Sequence, residues 1–298
     1  MKTDFTKEYE IIRGNSFGFY ERKRGLIEVS GREAVMFLNG LITNDAAKLE
    51  ENAQMLAAFP NAQGRLLATV RVLKSNDKFF FDTEAETYEK ILKNLQRFTF
   101  AGDFFVNDLS DEFRYFEISD SQFQISKPEF IEFQSNFGRN IFVPKNAADV
   151  FLKELKDKNA VKISDELYEV LRIENGEPKY GVDMDETTIV PELGIDGLIS
   201  YHKGCYIGQE IIARIHFRGH VAKKLTGLVF EENVALAGNE EIKSLEGKNA
   251  GKITSTVFSP KLAKQIALAF VRYDYLAEGT ELKANGVNAK VKNLPFIE

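Results

Sequence analysis

Apolar and polar positions alternate in short runs along the first part of the chain. Residues 16–20 (SFGFY) and 25–29 (GLIEV) carry a strand pattern, with a basic turn at Arg22 to Arg24 between them. Ser30 followed by Glu33 reads as a capping box, opening a helix with Ala34, Val35, Phe37 and Leu38 on its apolar face and Gly40 as its stop. LITNDA (41–46) is polar at Thr43, Asn44 and Asp45 and reads as a turn that satisfies its own backbone. Residues 57–65 read as a loop before a strand at 66–73, which a turn at Ser75 to Asp77 returns into 79–82 as a hairpin. Tyr88, Ile91, Leu92 and Leu95 repeat with the helical period over 84–97. Strands are expected at 104–106, 113–118, 122–125, 129–133 and 140–143. Helices are expected at 146–159 and from Ser164 or Asp165 to Gly176, with Pro178 just beyond as a stop.

Residues 180–194 lack periodicity. Their acids, Asp183, Asp185, Glu186 and Glu192, match no calcium loop and read as a solvated loop. From Lys224 the texture changes to short strands punctuated by glycines at 238, 247, 251, 279 and 286, the pattern of a small antiparallel barrel or sandwich. The expected class is therefore α+β, with an α+β region over 1–221 and a β-barrel domain over 222–298.

Composition narrows the classes of function. The chain has 298 residues, enough for two or three domains. Its 25 Phe and 10 Tyr without Trp favour a strand-rich protein. A net charge of -6 argues against general nucleic-acid binding, though it leaves room for a local basic site. One cysteine makes no internal disulfide, and neither a signal-like N-terminus nor an apolar run of membrane length is visible. The expectation is a cytoplasmic protein without direct membrane contact.

The densest chemistry lies between His202 and Lys224. This window holds all three histidines, the only cysteine (Cys205), and five cations against one acid, Glu210. Nearby cations lower a thiol pKa, and the thiolate is the nucleophile and the metal ligand. Gly204 and Gly208 bracket Cys205 in what reads as an irregular turn, after which 210–215 read as strand. His202, Cys205, His216 and His220 have a spacing loosely like a zinc finger, but with one thiolate where such sites usually supply two. No metal site is expected.

The run Lys203 to Glu210, KGCYIGQE, resembles the motif of the YgfZ-type folate-binding proteins, relatives of the aminomethyltransferase (T-protein) of the glycine cleavage system. FLNGLITNDA (37–46), NAQGRLLATV (61–70), LRIENGEPKYGVD (171–183) and AGKITSTVFSPKLAKQIALAFVR (250–272) resemble further segments of that group. The resemblance implies two intertwined α+β subdomains around a central folate site, followed by an antiparallel β-barrel. It implies tetrahydrofolate or a derivative as cofactor. It implies an accessory role in assembling or maintaining iron-sulfur clusters, including those of tRNA-modifying radical enzymes, so the partners would be iron-sulfur proteins or their assembly factors. The R-x-E-x-G acid that contacts the pterin in that group corresponds to Glu174. The expected site comprises Cys205 as the functional thiol, with Glu174, Lys203, Tyr206, Gln209, Arg214 and Arg65 toward the folate. The alternative is a folate-dependent aminomethyl transferase. Against it, Ala68 and Thr69 stand where aminomethyltransferases carry an acidic pair, leaving no evident agent for general acid-base work at that spot.

Overall fold

The computed structural model describes residues 4–14, 16–100, 102–119, 123, 127–135, 138–233, 236 and 238–297. A first helix, α1 (Asp4–Arg13), leads to β1 (Gly18–Arg22) and β2 (Arg24–Ser30), two strands separated only by Lys23. They are followed by α2 (Ala34–Leu41), β3 (Gln54–Pro60), β4 (Leu66–Ser75), β5 (Lys78–Glu84), α3 (Ala85–Gln96) and β6 (Phe105–Asp108). Next come β7 (Phe113–Ile118), β8 (Ile131–Ser135), β9 (Gly138–Pro144), α4 (Ala148–Asp157), β10 (Val161–Lys162), α5 (Asp165–Glu174) and α6 (Gln209–Arg218). The chain closes with β11 (Lys223–Phe230), β12 (Glu241–Ser244), β13 (Asn249–Ser259), β14 (Lys264–Arg272), β15 (Glu281–Ala284) and β16 (Val287–Lys292).

Although β1 and β2 are neighbours in sequence, they enter different sheets. One sheet has the order β3-β4-β5-β2-β6 and the other β10-β1-β7-β9-β8. The chain changes sheet at Lys23 and again between β6 and β7, so the two α+β units are intertwined. The last six strands form a closed barrel in the order β11-β14-β13-β12-β15-β16, β16 pairing back onto β11. Strand β12, with Ile242 and Ser244 buried among its four residues, was not read from the sequence.

Phenylalanine fills the cores. Eight of the largest fully buried side chains are Phe, among them Phe59, Phe81 and Phe104 in the core shared with α2 and α3, and Phe116, which packs on Phe151 of α4. Each such burial stabilises the fold by about 1.5–3 kcal/mol. Helix α3 packs through Ile91 and Leu95, the expected face.

Several local expectations are corrected. Ser30 is not the cap of α2: the helix begins at Ala34 behind Glu33, whose carboxylate instead accepts from the Asp103 amide at 2.6 Å. Gly40 does not stop it, since the helix runs through Gly40 to Leu41. Residues 57–60 belong to β3, paired with β4, rather than to a loop. Of the acids in 180–194, Asp183 and Glu192 are buried rather than solvated, with Asp183 paired to Arg172 at 2.7 Å. The expected strand at 122–125 lies almost wholly outside the described residues.

The expected strand at 210–215 is the helix α6. Gly208 takes a left-handed φ of 80°, which turns the chain into the helix, and Ile211, Ile212 and Ile215 then recur at helical spacing. Glu210 in its first turn and Arg218 in its last complement the helix dipole. The β-branched run looked like a strand, but its period is helical. No helix among the described residues is long and apolar enough to cross a membrane.

Candidate functional site

Two separate features emerge. The first is a cavity of about 350 Å³ where the two sheets and the end of α5 meet. Arg22 and Tyr115 from one sheet and Arg24, Thr69 and Arg71 from the other face it, with Glu177 beyond α5.

Most charges in its wall are paired. Asp82 is fully buried between two guanidinium groups: Arg24 bonds one oxygen, and Arg71 the other through its Nε at 2.6 Å. Burial pushes the Asp82 carboxyl up, but the two arginines outweigh it and hold the group below the usual carboxylate range. Arg71 also donates to the Tyr115 hydroxyl at 2.7 Å. Arg22 donates to Glu117 at 2.6 Å, and Glu84 accepts from the Tyr180 amide at 3.2 Å while burial raises its pKa.

Glu177 differs. Its backbone is fixed from both sides, the amide donating to the Arg172 carbonyl at 3.0 Å and the carbonyl accepting from Arg172 Nη1 at 2.7 Å. Its carboxyl lines the cavity, where no described group bonds it. Burial, then the neighbouring Glu117, pushes it up to about 7 against the pull of Arg71, Arg22 and Arg24. Sequence reading missed it. The one available signal was its position just past Gly176, whose left-handed φ of 70° ends α5 and turns the chain toward the cavity.

Alternation along β4 separates Ala68 from Thr69. Ala68 is fully buried in the core of its sheet, whereas Thr69 faces the cavity.

The second feature is the Cys205 loop. Cys205 is exposed. The loop is stitched to the end of α2: Ile207 N bonds Gly40 O at 3.1 Å, Ser200 N bonds Thr43 O at 3.0 Å, and Lys203 Nζ donates to the carbonyls of Ile42 and Asn44 at 2.8 and 2.7 Å. Thr43 and Asn44 answer with side-chain bonds to the Leu198 and Gly197 carbonyls at 2.6 and 2.7 Å. The 41–46 segment is therefore a tether between loops and not only a turn. Beneath the start of α6, Gly208 lies so close to the 61–65 turn that a Cβ there would stand 2.3 Å from Asn61 O. Three motifs remote in sequence, 37–46, 61–65 and 203–210, thus converge on one surface.

None of the seven expected site residues lines the cavity. Glu174 is fully buried, accepting from Tyr9 at 2.9 Å, Arg13 at 3.0 Å and Ser259 at 2.5 Å. Lys203 is buried, its amine given to the two carbonyls, and burial lowers its pKa to about 8. Its ammonium sits 5.1 Å over the Tyr206 ring, and burial raises the Tyr206 hydroxyl to about 12. Gln209 opens α6, Arg214 is exposed along it, and Arg65 is an exposed residue bonding the Thr187 carbonyl at 2.7 Å. His216 stacks on Tyr201 and His220 on Tyr273, each at 3.6 Å, and no metal-binding group of three or more His, Cys, Asp or Glu forms among the described residues.

Comparison with known proteins agrees with the fold. Residues 223–298 match the glycine cleavage T-protein C-terminal barrel domain. The aminomethyltransferase of Thermoanaerobacter pseudethanolicus is 26% identical, over 96% of this chain and 86% of that protein. The mitochondrial iron-sulfur cluster assembly factor IBA57 homolog of Mycosarcoma maydis is 25% identical, over 92% and 78%. The crystal structure of the glycine cleavage system aminomethyltransferase T from Bartonella henselae superposes with a TM-score of 0.87 over 97% of this chain and 89% of that one; at 18% identity it speaks for the fold.

Proposed function

We propose, from the premise that the chain belongs with the YgfZ-type proteins related to the glycine cleavage T-protein, that it is a tetrahydrofolate-binding accessory protein. In this reading it supports assembly or maintenance of iron-sulfur clusters, those of tRNA-modifying radical enzymes included, in the cytoplasm. The observation that carries the reading is the separation of the two features: a pterin-sized cavity inside, and a tethered, exposed thiol outside it.

The cavity suits the cofactor. Its volume falls within the range of small-molecule sites, about 300–1,000 Å³. Tyr115 offers an aromatic wall, Thr69 a hydroxyl, and Glu177 a carboxyl free to accept from ring N–H groups. Bound there, tetrahydrofolate would supply a reduced pterin that carries one-carbon units. The chain's own part is to hold and orient that ring.

Cys205 has a different task. One thiolate is too few ligands to hold a stable cluster, so any cluster contact is shared with a client or assembly factor. Gln209 opens the helix that follows the Cys205 loop, Arg214 and Arg65 are exposed, and these three would meet that partner rather than the folate.

The second reading, aminomethyl transfer, draws on the names of several relatives and on one feature of the cavity: Glu177 supplies an acid titrating near neutrality although Thr69 replaces the expected one. A single pair of experiments separates the two. Cells lacking the protein should recover iron-sulfur enzyme activity with the wild-type chain but not with Cys205→Ala, and the purified protein should not turn over an aminomethyl donor with tetrahydrofolate. Turnover in that assay would establish the transferase instead.

A further inference from the structure

Glu174 is saturated where it stands. Its carboxylate takes hydrogen bonds from two hydroxyls and a guanidinium, all from protein, and it is shut away from the cavity. Glu177 is its opposite. Gly176, whose Cβ would stand 2.8 Å from the Leu294 side chain, must be glycine for the chain to turn there, and the double backbone clamp from Arg172 fixes the residue that follows. Glu177 is half-buried at the cavity wall, and among the described residues no group bonds its carboxyl, which leaves both oxygens open to a ligand.

We infer that Glu177, rather than Glu174, is the acid that reads the 2-amino-4-oxopyrimidine edge of the pterin. This rests on the folate reading of the cavity and specifies which residue performs the recognition. The edge presents N3–H and the 2-amino group as adjacent donors, which a carboxylate accepts side by side as it does the fork of an arginine. A protonated carboxyl would set an O–H against one of those donors, so recognition requires the anion.

Every charged group facing Glu177 is engaged elsewhere: Arg22 on β1 by Glu117 on β7, and Arg24 on β2 and Arg71 on β4 by Asp82 on β5. Glu84, at the end of β5, accepts from the Tyr180 amide, and Tyr115 on β7 accepts from Arg71. Glu84 shares the cavity and burial raises its pKa too, but the Tyr180 amide already bonds it, so Glu177 is the lining carboxyl without a described partner. In the free protein the group titrates at about 7, held up by burial and by Glu117. A ligand that bonds only the anion pulls the pKa down and releases a proton. The apparent affinity should then fall about tenfold from pH 8 to pH 6.

The test is calorimetric titration of the full-length protein with (6S)-5-formyltetrahydrofolate, whose own groups do not titrate in that window. Wild type, Glu177→Gln and Glu174→Gln are compared at pH 6, 7 and 8, with phosphate and Tris buffers at pH 7 to count protons. Wild type should show the tenfold slope and proton release. Glu177→Gln, which removes a half-buried charge and should fold, is expected to lose at least tenfold in affinity along with both signatures. Glu174→Gln should keep them. If Glu177→Gln binds like wild type with the same slope, the inference fails while folate binding stands. If a folded Glu174→Gln alone loses binding, the reading acid is Glu174. If wild type does not bind, the folate reading itself falls.

Discussion

Glu174 and Glu177 stand three residues apart on either side of the end of α5, one locked by Tyr9, Arg13 and Ser259 and the other open to the central cavity. The first supports the fold, and in the proposed reading the second recognises the ligand. Replacing Glu174 by Gln leaves at least one of its three donors badly placed, with an expected loss of about 1–3 kcal/mol in unfolding free energy. Urea denaturation read by circular dichroism measures it. An unchanged midpoint would contradict the buried network.

The raised Glu177 pKa carries a stability signature in the opposite sense. An acid whose folded pKa lies near 7 binds its proton more tightly in the native state than in the unfolded chain. Its contribution is thus full below the unfolded value near 4.5 and is lost as pH rises to about 7. Glu177→Gln should therefore stabilise the ligand-free protein by about 1–3 kcal/mol at pH 7.5 and by nearly nothing at pH 4.5. Thermal melts of both proteins across that range check the sign.

Lys203 gives a second pH signature. Burial lowers its ammonium to about 8. The native state thus sheds a proton that the unfolded chain keeps, so stability from this group rises between about pH 8 and 10.5. Lys203→Met removes the two bonds to the Ile42 and Asn44 carbonyls and should cost about 1–3 kcal/mol, the amount expected when buried acceptors lose their donor. Faster proteolysis within 199–208 than in wild type would accompany it.

Cys205 is exposed, and its side chain supports no packing. Cys205→Ala should therefore shift stability by no more than about 0.5 kcal/mol, the usual bound for such surface changes. The folded wild-type thiol should react fully with a disulfide reagent without denaturant. A thiol that reacts only after unfolding would remove it from any exchange with a partner.

The sequence disclosed the fold more fully than the site. Periodicity located α3, α5 and the barrel strands because each buries one regular face, as Ile91 and Leu95 do in α3. It failed at α6, where β-branched residues disguise a helical period, and it passed over β12. The Cys205 motif was legible as a unit because its glycines and Lys203 serve local geometry. The cavity was not, because its wall draws single residues from strands of both sheets, and nothing in the sequence says that Thr69 faces inward while Ala68 faces the core. Nor could spacing tell that Tyr9, Arg13 and Ser259, far away in the chain, would claim Glu174 and leave Glu177 to the cavity.

The central claim is that the cavity between the two sheets takes a reduced folate. A crystal structure of the protein grown with (6S)-5-formyltetrahydrofolate tests it most directly. The account predicts one molecule per chain, with the pterin in the cavity between Tyr115, Thr69 and Glu177 and the Cys205 sulfur outside it. Pterin density at the Cys205 loop instead, or an unfilled cavity at saturating ligand, would contradict it.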